Sequence, residues 1–293
     1  MTDWMKNIPD DFLISNINLV GTHNSCAQFI NFKFISKCQN KNIFDQLKMG
    51  IRFLDIRFNF DGNNLFLNHS FLKCKSSRIK KENLLFSDIL SSCETFLKEN
   101  PSEFILMSVK REAGKSEEET FDYFYNTFVK GNDIFYIKNQ IPYLNEVRGK
   151  IVLLNRCGAD IGNTFYTDEN TGINLTGWPY QNSRKEASLE KVLIIKRNSK
   201  SNEFFYLQDF FNLKPKKKWE LAILPAIQNP PQDNAIILNF FSGSNFFSTP
   251  KRYSRILFKK FSDYKLMSLK KYGWIILDFP NKKIIKKIIL SNY

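Results

Sequence analysis

The chain has 293 residues and a formal charge of +14 at pH 7, from 43 Lys+Arg against 29 Asp+Glu. Its 43% hydrophobic and 25% charged residues exclude a disordered chain, and no apolar run reaches the ~18–20 residues of a bilayer-spanning helix. The length allows two domains, although an α/β barrel uses about 250 residues as one.

The opening segment, MTDWMKNIPDDF, has acidic residues and no apolar core of the signal-peptide kind. With a start at Met, it predicts an unprocessed chain, cytoplasmic or exported without such a peptide. Strands are expected at Ile17–Gly21, Arg52–Phe60, Leu65–Asn68, Phe104–Lys110, Ile151–Asn155, Phe204–Gln208, Ala235–Phe240 and Trp274–Leu277, short runs rich in Ile, Val, Phe and Leu. Helices are expected between them. Ser87–Glu99 carries Ile89, Leu90, Cys93, Phe96 and Leu97 on one face and stops at Asn100-Pro101. Ser116–Val129 opens with an acidic turn, and Pro250–Tyr264 and Pro280–Leu290 follow two of the last strands. The stretches Arg197–Glu203 and Leu213–Trp219 read as polar loops. About eight strands alternating with helices, without a repeat or long linker, predict one α/β domain, an irregular TIM-like (β/α) barrel. A doubly wound sheet fits less well, because no Gly-rich phosphate loop follows the first strand. The five cysteines form no CxxC and no regular framework, which favours free thiols.

The positive charge suits a polyanion: nucleic acid, an anionic membrane surface or a phosphorylated substrate. Asn, Ile, Lys and Phe are all abundant, so the bulk charge also reads as composition bias, and only cations inside motifs count. The polar residues cluster at strand ends. Both histidines of the chain, His23 in LVGTHNS and His69 in LFLNHS, stand past apolar runs, where barrel strands converge on a mouth. In GIRFLDIR, alternation sets Arg52 apart from Phe53, Asp55 and Arg57. An inward Asp and Arg are costly unless paired or functional. Lys110, Arg156, Asp209 and Asp278 each end or follow a predicted strand. Two imidazoles can act as general base and acid near neutral pH. Cations suit a phosphate, and a carboxylate such as Asp278 can orient an imidazole. The pattern points to phosphodiester cleavage. With no HExxH and no CxxC, the spacing suggests no metal site.

The segments GTHNS, GIRFLDIR, LNHS, NPSEFILMSVKRE and RGKIVLLNR, in this order, resemble the X domain of the phosphatidylinositol-specific phospholipase C family, in its bacterial-type single-domain branch. The specific motifs lie in residues 15–160; FYLQDFF, NFFSGSNFFSTP and GWIILDFPN match more loosely. The resemblance implies a single barrel over residues 1–293 that releases diacylglycerol and inositol 1,2-cyclic phosphate, with no cofactor. It makes His23 the base on the inositol 2-hydroxyl, Asp278 its orienting partner, His69 the general acid and Arg57 the stabiliser of the pentacoordinate phosphorus. Asp55 is expected to support the His69 side. Lys110, Arg156, Asp209, Phe211 and Trp178 are expected to hold the inositol. Arg57 and Lys110 stand where the Ca²⁺-dependent branch needs ligands, which disfavours Ca²⁺. Asn24 departs from the branch's Asp, which assists the acid and contacts the Arg; it carries no charge.

The substrate lies in a bilayer, so the rim must dock there. Phe29, Phe32 and Phe34, interleaved with Lys33 and Lys37, form one candidate, and Phe246 and Phe247 beside a Gly-Ser loop form another. The C-terminal KKIIKKII is amphipathic and reads first as the last barrel helix. The expected partners are an inositol lipid and an anionic membrane surface, with the protein monomeric and no nucleic acid bound. The alternatives are a catalytically weak phosphoinositide-binding module and a metal-dependent glycerophosphodiester phosphodiesterase.

Overall fold

The apolar runs become strands because they are short, rich in branched and aromatic residues, and buried on both faces. The computed structural model describes residues 1–79, 82–157, 171–175, 178, 181, 193–196, 204–230, 235–244 and 248–293, with side chains of 193–196 and 204 left aside. Its strands are β1 (Leu19–Thr22), β2 (Phe53–Phe60), β3 (Leu65–His69), β4 (Leu72–Lys73), β5 (Ile105–Gly114), β6 (Phe135–Tyr136), β7 (Ile151–Asn155), β8 (Ile173–Asn174), β9 (Leu193–Lys196), β10 (Phe204–Gln208), β11 (Ala235–Phe240) and β12 (Trp274–Leu277).

They form a sheet in the order β6-β7-β5-β2-β1-β12-β11-β10-β9. All neighbours on that path are parallel except β10 and β9. The sheet curls as an irregular, TIM-like α/β barrel. Among the described residues, the end strands β6 and β9 do not pair with each other. At Gly21 an added Cβ would lie 2.8 Å from the Phe53 side chain, so the absence of a side chain there lets β1 and β2 lie together.

The helices bury one stripe each. Phe86–Glu99 buries Phe86, Ile89, Leu90, Cys93, Phe96 and Leu97, the face read from the sequence. Glu117–Phe124 starts in a Ser116/Glu119 capping box and continues as a π-helical segment, Tyr125–Val129. Pro250–Asp263 begins with Pro at its first turn and Thr249 as N-cap. In Lys282–Ile289, the isoleucines 284, 285, 288 and 289 are all buried, so KKIIKKII presents its apolar face to the core.

Two expectations are corrected, and a third falls outside the described residues. Leu213–Trp219 is not simply a loop: Pro215–Lys218 is helical and runs on into Trp219–Ile223, because Lys218 and Trp219 are buried there. Arg197–Glu203 lies outside the described residues. The strand expected to end at Lys110 runs on to Gly114, paired with the long β2. At the opposite end of these strands, Arg52 and Glu103 form a fully buried ion pair at 2.8 Å. Leu47 and Ile51 carbonyls take further Arg52 donors, and the guanidinium lies 4.6 Å from the Phe96 ring centroid. A buried pair persists only with such additional bonds.

Candidate active site

Strand register places the first pair. Thr22 of β1 stands beside Leu277 of β12, so the next residues, His23 and Asp278, emerge as neighbours. The His23 amide donates to the Leu277 carbonyl at 3.0 Å. The Gln39 amide nitrogen bridges the His23 and Leu277 carbonyls at 2.7 and 3.2 Å and clips the two chain ends together. His23 Nδ1 lies 2.9 Å from Asp278 Oδ1. A carboxylate only accepts, so Nδ1 carries the proton and Nε2 keeps its lone pair.

His69 reaches the site by another route. Barrel-strand convergence does not bring it there: β3 is antiparallel to β2, with Leu67 opposite Phe58, and the hairpin returns His69 toward the level of Arg57. Its Nδ1 lies 2.7 Å from the Ser36 carbonyl, so in the neutral ring that nitrogen donates and Nε2 carries the lone pair. The His23 and His69 rings stand edge to face, with centroids 6.1 Å apart. Burial lowers His69 to about 4, with the nearby His23 and Arg57 adding to the shift.

The second and third positions come from β2, β5 and β7. Arg57 pairs with Lys110 across β2 and β5, and Arg156 follows β7. Arg57 gives two bonds to Asp55 Oδ2, at 3.0 and 2.8 Å, and one to Glu112 at 3.0 Å. Asp55 Oδ1 accepts from Arg156 at 3.2 Å. Burial pushes the Asp55 carboxyl up, but the Arg57 and Arg156 guanidiniums outweigh it and hold the group well below the usual carboxylate range. Asp55 therefore braces the two arginines; among the described residues its carboxylate accepts from Arg57, Arg156 and the Asn24 backbone. Arg156 lies 3.5 Å from the centroid of the Trp178 ring, a close cation–π contact.

These side chains meet over a cavity of about 330 Å³ lined by His23, Arg57, His69, Lys110, Glu112, Arg156, Trp178, Asp209, Phe211 and Asp278, among others. Asn24 and Asp55 lie behind its wall. Asn24 is buried, with its backbone in the left-handed region at φ 41°, and its amide nitrogen donates to Asp55 Oδ2 at 3.0 Å. Its side-chain oxygen and nitrogen have no partner among the described residues. The contact with Arg57 expected at this position is made instead by Asp55 and Glu112. Glu112 was not singled out from the sequence. Its signal was its place two residues after Lys110, on the same face of a strand longer than anticipated.

A further cluster is one that local spacing does not reveal. A ring nitrogen of His23, the Cys38 sulfur and an Asp278 oxygen all lie within 4.8 Å of one another, the kind of donor set that can hold a metal ion. Residues 23, 38 and 278 share no local motif, and only the fold joins them.

The mouth is apolar. Phe32, Phe34, Ile35 and Phe71 are 69%, 74%, 67% and 77% exposed, and Ile35 and Ser70 line the cavity. Phe29, expected at the membrane, is only half-exposed, and its carbonyl accepts from the Lys75 amide. Phe246 and Phe247 lie outside the described residues.

The model of the phosphatidylinositol-specific phospholipase C X domain matches residues 20–157, the stretch that supplies both imidazoles and both arginines. Residues 20–157 of the chain are thus similar to the X domain of this family. A curated 1-phosphatidylinositol phosphodiesterase of Listeria monocytogenes is 27% identical over 310 aligned positions, covering 99% of this chain and 84% of the relative. The solved phosphatidylinositol-specific phospholipase C of Listeria monocytogenes superimposes with a TM-score of 0.75 at 26% identity, covering 100% of this chain and 98% of that one. A Staphylococcus aureus phospholipase C of the same specificity, solved in work on its membrane binding, gives a TM-score of 0.78 at 25% identity, over 100% and 97% of the two chains. The X-domain match ends at residue 157, but Asp278 comes from the far end of the chain.

Proposed function

We propose that this chain, a single X-domain barrel, is a phosphatidylinositol-specific phospholipase C that works with two imidazoles and no cofactor. The observation that carries this reading is the pair of histidines facing each other at 6.1 Å, one held by a buried carboxylate and the other by a carbonyl, with Arg57 lining the same cavity. Relatives named for this reaction support it.

In the proposed reaction, His23 Nε2 takes the proton of the inositol 2-hydroxyl as that oxygen attacks phosphorus. Asp278 fixes the tautomer of His23 and stabilises the imidazolium that forms. Arg57 faces the non-bridging oxygens, and the charge of its guanidinium is directed by Asp55 and Glu112. His69, once protonated, gives its Nε2 proton to the diacylglycerol oxygen as the P–O bond breaks. The products are diacylglycerol and inositol 1,2-cyclic phosphate. The low proton affinity of free His69 is matched to this role, because a bound phosphodiester anion raises it. Lys110, Arg156, Asp209, Phe211 and Trp178 line the remaining wall and receive the inositol ring. Asn24 acts from behind, through its backbone bond to Asp55.

The chain works as a monomer, peripheral at an anionic membrane surface, without a nucleic-acid partner. Phe32, Phe34, Ile35 and Phe71 form the apolar rim, with Lys33 and Lys37 beside them.

The test uses phosphatidylinositol vesicles in excess EDTA, with phosphorus NMR following inositol 1,2-cyclic phosphate and His23→Ala run in parallel. Product from the wild-type chain alone is the expected result. Product that appears only on adding Ca²⁺ overturns the metal-free reading, and no product under either condition overturns the activity.

A further inference from the structure

The base of the proposed reaction shares its surroundings with a thiol that the reaction does not use. Cys38 is buried, lines the cavity and forms no disulfide; its Sγ donates to the Ser36 carbonyl at 3.6 Å and lies 3.8 Å from His69 Nδ1. Its chain position is fixed from both sides: its amide donates to the Ala27 carbonyl and its own carbonyl accepts from the Phe279 amide, next to Asp278. The sulfur, a His23 ring nitrogen and an Asp278 oxygen lie within 4.8 Å of one another. A tetrahedral zinc centre with such ligands sets its donors roughly 3.3–3.7 Å apart, so side-chain rotation of about an ångström closes the set.

We propose that His23, Cys38 and Asp278 form a binding site for a thiophilic divalent ion of the Zn²⁺ class, and that its occupation switches the enzyme off. The donor chemistry selects the ion. One thiolate and one imidazole favour Zn²⁺ and its neighbours, whereas Ca²⁺ and Mg²⁺ require oxygen-rich shells. One carboxylate, one imidazole and one thiolate also match the three protein ligands of open zinc sites, with the fourth position facing the cavity. Binding involves no electron transfer. The Cys38 S–H bond breaks, its proton goes to solvent, and the sulfur lone pair goes to the metal. If Nδ1 of His23 is the ligand, its proton moves to Nε2, so the Asp278 hydrogen bond is lost and Nε2 no longer has a lone pair to offer. If Nε2 is the ligand, the lone pair that would take the 2-hydroxyl proton is consumed. Either way the base is removed.

The site rests on the same residues as the proposed activity, so its test has an arm that needs no turnover. The full chain, stripped with EDTA and then freed of the chelator, is titrated with Co²⁺ and read by absorption. The expected result is a thiolate-to-cobalt charge-transfer band in the wild type that Zn²⁺ displaces and that Cys38→Ser and Cys38→Ala lack. In the second arm, ZnCl₂ is titrated into the phosphatidylinositol vesicle assay. Wild-type turnover falls at least 10-fold and returns with EDTA, while Cys38→Ser retains its turnover and needs at least 10-fold more Zn²⁺ for the same loss. Ca²⁺ and Mg²⁺ at equal concentration leave the wild type active. Absence of the cobalt band in folded wild-type protein overturns the site, as does equal zinc sensitivity of wild type and Cys38→Ser. A cobalt band in a protein that turns over no lipid leaves the site standing and counts against the proposed activity alone.

Discussion

The Nδ1 atom of His23 lies 2.9 Å from an Asp278 oxygen whose side chain is 1% exposed, across a sequence separation of 255 residues. The parallel register of β1 and β12 produces this contact, and it gives the imidazole one tautomer. Asp278→Asn keeps the shape but offers an amide that can donate to Nδ1 and so favours the wrong tautomer. The expected loss in kcat is ~10²–10⁴-fold with little change in vesicle binding. Steady-state turnover alongside vesicle sedimentation checks the split.

Arg57 is held by Asp55 on one side and Glu112 on the other. Lysine keeps the charge but has no planar fork to satisfy both carboxylates while facing a phosphate. Arg57→Lys is expected to lower kcat by about 10²–10³-fold. Glu112→Gln, which removes only one brace, should cost less. A larger loss in Glu112→Gln than in Arg57→Lys would show that Glu112 contacts substrate directly.

His69 is lowered to about 4 by burial, His23 and Arg57. Its unfolded-state value is ~6.5, so between these two values the unfolded chain binds a proton that the folded chain does not. Stability is therefore fully present above about pH 6.5 and declines as the pH falls toward 4. His69→Gln should flatten that part of the pH–stability curve in urea titrations. In NMR titrations of the free protein, His69 should take up its proton near 4 and shift upward when an inositol phosphate anion is bound.

The Arg52–Glu103 pair is fully buried at the end of the strands opposite the cavity. Glu103→Gln leaves a buried guanidinium without its counter-charge, at an expected cost of ~3–5 kcal/mol. The midpoint of denaturant unfolding should fall accordingly, while kcat at low temperature stays near the wild-type value.

The exposed rings at the mouth predict a division between lipid and soluble substrate. Each fully buried Phe contributes ~1.5–3 kcal/mol, so Phe34→Ser combined with Phe71→Ser should weaken vesicle partitioning by at least 10-fold. Turnover of a soluble, short-chain phosphatidylinositol presented as monomer should be unchanged. Equal loss on both substrates would place these residues in the site rather than at the membrane.

Much of this protein was written in local sequence. Short branched and aromatic runs determined the strands of the core, and the stripe from Ile89 to Leu97 determined which face of its helix is buried, because both depend on side-chain periodicity along a few residues. The two histidines and Arg57 stood out because polar groups at the ends of buried strands are costly without a purpose. Tertiary structure decided how they meet. The antiparallel hairpin returns His69 to the level of Arg57, and the β1–β12 register sets Asp278 against His23. The long pairing of β2 with β5 carries Glu112 to Arg57, and the turn after Ser36 sets Cys38 beside the base. Each of these contacts depends on strand register and direction between distant segments, which the order of residues in any one segment does not contain.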